Sequence, residues 1–395
     1  MSEKILIAQA PGAERQTLRG LLREQGYFAV IAGSLDAALR MLAENPAVLL
    51  LDPDLADGAG PQFWSALEDG CRQSETACLA LIGAGRTAGA LHERAPWLAG
   101  SVRLPADPAD LAVRVRDVLT IRRLGHELAL AHNMLSKKQR EFGESLRAAA
   151  QIQKNLLPRH LPKVETLNFA YRFMPCEAVG GDLFNVLRLD EDTVMAYLFD
   201  VSGHGVSAAM VGVSVHQSLS PHSGHIVKQR LDQPPYYRIP GPAQVMAALE
   251  AEFPFERFDK FFTIAYLLID IHSGRVRYCN AGHPPSLLLR ADGSVETLDQ
   301  GGGLIGLSEV GAFNESEVRL NPGDRIFLHS DGIVEYTNSM REFFGEERFL
   351  RKLGEFKRHE LGKVCDKVIE ALRTFGRGAP LADDITLLGI EYRGR

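Results

Sequence analysis

The segment YLFDVSGHG, residues 197–205, decides how the C-terminal half of the chain is interpreted. Its apolar start is typical of a buried strand, and Ser202 with the glycines around it indicates a turn. A helical pattern then runs from Gly205 to about Ser218. Asp200 therefore stands where a strand ends, which holds its carboxylate in place while the neighbouring glycines let backbone and solvent approach.

Around this segment, short apolar runs follow one another with turns and no obligatory helix between them. The clearest predicted strands are residues 196–200, 262–271, 276–280, 286–289, 325–329 and 385–390. The sequence HSGR, residues 272–275, predicts a hairpin turn between two of them. Helical patterns follow Pro242 and Arg358, so we expect an α+β domain of antiparallel sheets with helices outside them. Residues 221–240, rich in histidine, proline and tyrosine, predict a mobile loop.

The N-terminal region has a different pattern, in which apolar runs alternate with helical stretches. The apolar runs are residues 4–8, 29–32, 47–52, 78–82 and 101–104. Strands separated by crossover helices predict a parallel sheet that is covered by helices on both faces.

A long helix is predicted between these regions. Residues 119–157 contain only two glycines, Gly125 and Gly143, and the next proline is Pro158. Apolar residues recur every seven positions, namely Ile121, Leu128, Leu135, Phe142, Ala149 and Leu156. Lys138 and Ser145 interrupt the alternate stripe, so the pattern indicates an imperfect coiled coil and a homodimer of limited stability. The alternative is a helix that packs on its own domains.

Composition excludes several classes of protein. The 395 residues predict two or three domains, and 44 Lys and Arg against 50 Asp and Glu give no basic footprint for nucleic acid. No apolar run reaches about 18 residues and the N-terminus does not resemble a signal peptide, so we expect a cytoplasmic protein without a membrane partner. The five cysteines are scattered and lack CxxC spacing, which argues against disulfides and zinc.

Three acidic residues in the C-terminal half share one local design, because each ends a strand or turn beside a glycine or another acid. They are Asp182 in AVGGDLF, Asp200, and Asp331 in IFLHSDGIVE, and a further acidic pair, Asp383 and Asp384 in ADDITLL, precedes the final predicted strand. Such carboxylates repel one another unless a cation binds among them. Ligation by oxygen alone points to magnesium or manganese rather than zinc.

The order of these motifs, GGD, DVSGHG, YCNAGH, SDGIVE and DDIT, resembles the PPM-type (type 2C-like) serine/threonine phosphatases, and most closely their bacterial SpoIIE-like branch. The resemblance covers about residues 150–390. It implies a sandwich of two antiparallel sheets flanked by helices, with two Mn²⁺ or Mg²⁺ ions at one edge. It also implies that a water between the ions attacks phosphorus, without a covalent phosphoenzyme.

The resemblance also implies roles for individual residues. Asp200 would bridge the two ions and the backbone carbonyl of Val201 would bind one of them. Asp331 and Asp384 would complete the shell of one ion, and Asp182 would serve the other. Asp383 would be an acid behind the ligands or a helix cap.

Two histidines and one asparagine of the same motifs have open roles. His204 and His283 are candidates for the acid that protonates the leaving oxygen, since imidazole titrates near neutrality. The alternative is that both brace the loops or support the metal ligands. Asn280 is expected to shape the loop beside the metals.

The N-terminal region resembles the response-regulator receiver, a flavodoxin-like fold with strand order 2-1-3-4-5. Asp52 occupies the phosphoacceptor position. Gln9 and Ala10 replace the acidic, magnesium-binding pair, Gly83 stands at the usual Ser/Thr position and Leu104 at the lysine. We therefore expect a degenerate receiver that works without phosphate, in which Asp52 is not used.

Three domains and one function follow as expectations. Residues 1–120 would be the degenerate receiver, 121–157 the helical linker and 158–395 the phosphatase. The resemblance implies a metal-dependent protein serine/threonine phosphatase regulated by its receiver-like domain. Its substrate would be a phosphorylated STAS-type anti-sigma-factor antagonist in a partner-switching pathway. The alternatives are a non-catalytic adaptor, in which the metal carboxylates would be missing, and a phosphorylated response regulator.

Overall fold

The computed structural model describes residues 3–56, 61–83, 87–203, 205–223, 225–307 and 313–394. The chain divides into two compact units, Met1–Gln139 and Arg140–Arg395. Among the described residues, none of the helices combines the length and the apolar character needed to cross a membrane.

The first unit is built on a parallel five-stranded sheet. Its strands are β1 (Lys4–Ala8), β2 (Phe28–Ala32), β3 (Val48–Leu51), β4 (Ala77–Ile82) and β5 (Gly100–Arg103). Its helices are α1 (Ala13–Glu24), α2 (Leu35–Leu42), a 3₁₀ turn (Pro53–Ala56), α3 (Pro61–Gln73) and α4 (Ala88–Arg94). The strand order β2-β1-β3-β4-β5 confirms the predicted flavodoxin-like topology. Both faces of the sheet are buried under apolar side chains, which explains the unbroken apolar run of β3.

A single 49-residue helix, α5 (Pro108–Leu156), follows β5. The last receiver helix therefore continues without interruption into the predicted linker. The helix ends just before Leu157 and Pro158, which are both buried. Proline cannot continue a helix, so this end of the element was readable from the sequence.

Among its described residues, the second unit contains two large sheets, which are antiparallel except for one short parallel pairing, and one two-stranded sheet. The strands that follow α5 are β6 (Leu167–Met174), β7 (Leu183–Arg188), β8 (Thr193–Val201), β9 (Gln229–Arg230), β10 (Tyr237–Arg238), β11 (Phe262–Asp270), β12 (Arg275–Ala281), β13 (Ser286–Leu289), β14 (Val295–Leu298), β15 (Gly301–Gly302), β16 (Ser316–Arg319), β17 (Arg325–His329) and β18 (Ile385–Tyr392). One sheet has the order β15-β12-β11-β8-β7, with β16 also paired to β12, and the other has the order β14-β13-β17-β18-β6.

Six helices accompany these sheets. They are α6 (Val206–Ser218), α7 (Pro242–Glu252), α8 (Phe255–Phe258), α9 (Asp331–Val334), α10 (Glu346–Phe356) and α11 (Leu361–Gly376). The alternation of β17 shows how the layers form, because Ile326 and Leu328 pack between the sheets while Phe327 packs under α10 and α11. The result is the predicted sandwich of two sheets flanked by helices.

The segment 221–240 differs in part from the expected loop. It contains the two-stranded pair β9 and β10, and Ile226 and Val227 are buried in the core. These two apolar side chains anchor the segment in the core. The prolines and tyrosines around them favour a loop in the sequence, so the anchoring was not predicted.

Candidate metal centre

The centre of the site is the end of β8, where Asp200 and Val201 face the loop before β7. The amide of Val201 donates a 3.3 Å hydrogen bond to the carbonyl of Gly181. A Cβ atom built on Gly181 would lie 2.4 Å from Oδ1 of Asp200 and 2.6 Å from the carbonyl oxygen of Val201. Two oxygens thus converge on a point that only a glycine leaves open.

Asp182 is buried at the start of β7. The hydroxyl of Thr386, on β18, donates a hydrogen bond to Oδ2 of Asp182 at 2.5 Å. Burial raises the pKa of the Asp182 carboxyl well above its ordinary value, and the charges of Asp200 and Asp384 add to the effect. The two sheets therefore meet at Asp182, close enough to Asp200 for the two carboxylates to repel each other.

Asp384 uses its side chain to organise the backbone around it. Its Oδ1 accepts a 2.9 Å hydrogen bond from the amide of Cys176, and its Oδ2 accepts a 3.3 Å bond from the amide of Asp182. Its own carbonyl oxygen accepts a 3.0 Å bond from the hydroxyl of Ser330. Both carboxylate oxygens of this buried residue are therefore engaged with backbone amides.

Asp331 begins α9, two residues after the last residue of β17. Its carboxylate interacts electrostatically with those of Asp200 and Asp383. Burial, then the charges of Asp383 and Glu335, raise the pKa of Asp331 to about 6. Burial, then the charges of Asp331 and Asp383, raise the pKa of Asp200 to about 8. Asp383 is thus a nearer electrostatic neighbour of both residues than the sequence analysis assumed.

The carboxylates of this site and the carbonyl of Val201 are oxygen ligands of the kind that divalent cations such as Mg²⁺ and Mn²⁺ bind. Within the described ranges, no three His, Cys, Asp or Glu side chains are already posed around one ion. The hydrogen bonds of Asp182 and Asp384 account for part of this, because they direct three carboxylate oxygens toward protein donors. The chemistry nevertheless fits a hard cation, since Oδ1 of Asp200 and the carbonyl oxygen of Val201 converge beside Gly181 and the charges of Asp331, Asp383 and Asp384 all act on Asp200.

The structure favours a bracing role for His283. Its Nδ1 lies 2.8 Å from the hydroxyl of Thr263, whose partner across the sheet is Asp200. The amide of His283 donates to Oδ1 of Asn280 at 2.7 Å, and Nδ2 of Asn280 donates back to the carbonyl of His283 at 2.7 Å. Burial and the neighbouring His329 lower the pKa of His283 to about 3, so the ring is neutral at physiological pH. His204 lies outside the described residues.

Two residues of the site were missed by the sequence analysis, Ser330 and Thr386. Both belong to motifs that were singled out, SDG and DDIT. The hydroxyl of Ser330, just after β17, donates to the carbonyl of Asp384 and accepts from the amide of Thr386. The hydroxyl of Thr386 donates to Asp182. Small hydroxyl residues beside acids are common in turns, so their presence alone did not reveal this role.

In the first unit, Asp52 follows β3 at the position expected for a phosphoacceptor. Its Oδ1 accepts a 3.0 Å hydrogen bond from the amide of Asp54, which caps the 3₁₀ turn. The amide of Asp52 donates a 2.8 Å hydrogen bond to the carbonyl of Ala8, the last residue of β1, and Gln9, the next residue, is buried. Asp52 therefore acts as a turn residue in this structure.

Comparison with known proteins gives one family. The family model described as "Stage II sporulation protein E (SpoIIE)" matches residues 190–393. The phosphoserine phosphatase RsbP of Bacillus subtilis is 29% identical over 199 residues, which cover 49% of this chain and 46% of RsbP. The chain spans about half the length of the curated relatives it matches.

Solved structures share the fold of the second unit. The SiaA-PP2C domain of Pseudomonas aeruginosa superposes with a TM-score of 0.53 at 22% identity and covers 65% of this chain and 98% of that domain. The RsbU and RsbW domains of Rv1364c from Mycobacterium tuberculosis give a TM-score of 0.50 at 25% identity, covering 60% of this chain and 63% of that one.

Proposed function

The chain belongs to the stage II sporulation protein E (SpoIIE) family, and we propose that it is a metal-dependent phosphatase that acts on phosphoserine or phosphothreonine in proteins. The observation that carries this proposal is the repulsion among buried carboxylates, in which the charge of Asp200 acts on Asp182 and the charge of Asp331 acts on Asp200, beside the carbonyl of Val201. In a buried site, the repulsion between these carboxylates disfavours their ionised forms, and a bound cation relieves it.

We propose that Asp182, Asp200, Asp331 and the carbonyl of Val201 hold two Mn²⁺ or Mg²⁺ ions. Asp383 is favoured over Asp384 as the remaining ligand, because both carboxylate oxygens of Asp384 accept backbone amides, whereas the charge of Asp383 acts on Asp200 and Asp331. Asp384 instead fixes the backbone. When bound, such ions acidify a water, orient it toward phosphorus and neutralise charge on the phosphoryl oxygens.

The chain's own residues prepare the site for this chemistry. Thr386 orients Asp182 through its hydroxyl, and Asp384 holds the amide of the same residue. His283 and Asn280 close the loop after β12, and His283 contacts the hydroxyl of Thr263, which the register of β11 and β8 pairs with Asp200. These contacts fix the carboxylates before substrate arrives, so less reorganisation is needed during the reaction.

A STAS-type anti-sigma-factor antagonist is the proposed substrate, and dephosphorylation would free it to capture its partner. The support is the family membership and the similarity to RsbP, which is named a phosphoserine phosphatase. The rival function, a non-catalytic adaptor, is disfavoured because all the expected carboxylates are present in the chain.

We also propose that the linker forms a homodimer. The side chains at the seven-residue spacing of α5 are exposed, with Ile121 at 70%, Leu128 at 72%, Leu135 at 59% and Phe142 at 64%. Large apolar side chains in such a row are covered when a second copy of the helix pairs with it. Light scattering of Leu128→Lys should show a monomer, whereas Asn133→Lys, on the opposite side of the heptad, should leave the dimer intact.

The first unit is proposed to regulate the phosphatase without being phosphorylated. Gln9 and Leu104 remove an acid and the cation that support aspartyl phosphorylation in receivers, and Asp52 caps a turn. Incubation with a small phosphodonor should leave the protein unlabelled, and labelling at Asp52 would refute this part of the proposal.

Hydrolysis of a generic aryl phosphate tests the function as a whole. The full-length protein should be active with Mn²⁺ and inactive with EDTA, and Asp200→Asn should be inactive in both. Activity that survives EDTA would contradict a metal-dependent mechanism. Absence of both activity and Mn²⁺ binding would favour the adaptor.

A further inference from the structure

Gln153 is a buried polar residue in the otherwise mostly exposed last turns of helix α5. It is only 7% exposed, whereas the two residues before it and the two after it are exposed. A glutamine loses much side-chain freedom and hydration on burial, so its polar atoms need partners there. The structure supplies both partners from a single residue in the loop before β7.

That residue is Gly180, two positions before Asp182. Nε2 of Gln153 donates to the carbonyl oxygen of Gly180 at 2.7 Å, and the amide of Gly180 donates to Oε1 of Gln153 at 3.0 Å. The side-chain amide thus binds the backbone of Gly180 as another strand would, with one bond in each direction. We refer to this pair of hydrogen bonds as the amide clamp.

Gly180 is itself pressed against the candidate metal centre. A Cβ atom at this position would lie 1.7 Å from Oδ2 of Asp384, so no larger residue fits without moving the carboxylate. The same Oδ2 accepts the hydrogen bond from the amide of Asp182. A shift of Gly180 would therefore disturb Asp384 and, through it, Asp182.

A cavity of about 910 Å³ lies beside the clamp, and its lining includes Gln153, Arg159, Phe173, Asp182 and Leu183. Gly180 itself is buried and does not line the cavity. Among the described residues, the two hydrogen bonds of Gln153 join the backbone of Gly180 to the end of α5.

We infer that Gln153 is a positioning residue that sets the place of Asp182 through Gly180 and Asp384, so that the cation affinity of the site depends on the end of helix α5. The part of this inference that concerns cations rests on the proposed function. The clamp itself does not.

The first test uses hydrogen exchange in the metal-free, full-length protein. Gln153→Met keeps a side chain of similar length but removes both hydrogen bonds, and Gln153→Ala removes the packing as well. Both variants should exchange the amides of residues 176–183 about tenfold faster than the native protein, the change expected when hydrogen bonds of ordinary net strength are lost. The matched control is Gln151→Ala, because Gln151 is an exposed glutamine two residues before Gln153. This variant should leave exchange unchanged.

The second test is calorimetric titration with Mn²⁺. Residues that orient metal ligands typically contribute about 10- to 100-fold to affinity, so Gln153→Met should weaken Mn²⁺ binding by that factor while Gln151→Ala does not. Native exchange and native affinity in Gln153→Met would overturn the inference. Absence of Mn²⁺ binding by the native protein would instead refute the proposed function, and the exchange experiment would still decide whether the clamp exists.

Discussion

Thr386 donates a hydrogen bond to Asp182 from the opposite sheet, and this contact joins the two layers of the sandwich at the candidate metal centre. Asp384, two residues earlier, binds the amide of the same aspartate. Two side chains of one segment thus hold both the backbone and the carboxylate of Asp182. A ligand supported in this way keeps its orientation when no ion is present.

Replacing Thr386 with valine should weaken metal binding. The substitution keeps the shape of the side chain but removes the hydroxyl that stabilises the ionised form of Asp182, so the pKa of this carboxyl rises further. We expect an Mn²⁺ affinity about 10- to 100-fold lower in calorimetry at pH 7. Thr374→Val, whose hydroxyl bonds only within helix α11, is the control and should bind Mn²⁺ normally.

The metal-free protein should lose stability as the pH rises. Asp200 has an ordinary pKa of 3.8 and a folded-state pKa of about 8, so between these values the folded state holds a proton that the unfolded state has released. The resulting stabilisation is complete below about pH 4 and is lost as the pH rises through about 8. Melting temperatures measured in EDTA should show this decline, and they should show less of it in Asp200→Asn. A melting temperature in EDTA that rises from pH 5 to pH 8 equally in both proteins would contradict the shift.

Gly181→Ala should inactivate the centre without unfolding the domain. The new Cβ would lie 2.4 Å from Oδ1 of Asp200 and 2.6 Å from the carbonyl of Val201, so the loop or the ligands must move. Displacements of about 1 Å can cost about 100-fold in rate, and we expect at least that loss in aryl phosphate hydrolysis. Gly362→Ala has open space around the new methyl group in helix α11 and should retain full activity.

Asp383 and Asp384 should respond differently to alanine substitution. Asp384→Ala leaves the half-buried amide of Cys176 and the buried amide of Asp182 without their acceptors, which should lower the free energy of unfolding by about 1–3 kcal/mol. Asp383→Ala should lower the free energy of unfolding less and should instead reduce Mn²⁺ affinity. It removes the neighbouring charge that raises the pKa of Asp331 most. Chemical denaturation and calorimetry on both variants separate the two roles, and the reverse pattern would restore Asp384 as the ligand.

Much of this architecture was visible in the sequence. The strand order of the first unit follows from the resemblance to the receiver fold. The strand-end positions of Asp200 and Asp331 follow from short apolar runs that end in glycine-containing turns. The division of labour between Asp383 and Asp384 was not visible. Neighbouring residues near the start of a strand point to opposite sides, and only the pairing of β18 with β6 and β17 decides which side faces Asp182.

The burial of His283 and Gln153 was also beyond the sequence. His283 lies in the motif YCNAGH and Gln153 in the predicted linker helix, but the environment of each is formed by residues distant in the chain, Thr263 for the histidine and Gly180 for the glutamine. A histidine beside a glycine turn is equally compatible with catalysis and with bracing until those neighbours are known.

The central claim is tested most directly by phosphate release from a phosphoserine protein as Mn²⁺ is titrated into the full-length enzyme. The native protein and Asp299→Asn, an exposed acid away from the centre, should release phosphate along the same Mn²⁺-dependent curve. Asp200→Asn should show no release above background at any Mn²⁺ concentration. Equal release by Asp200→Asn and the native protein would contradict the assignment of this carboxylate cluster as the catalytic metal centre.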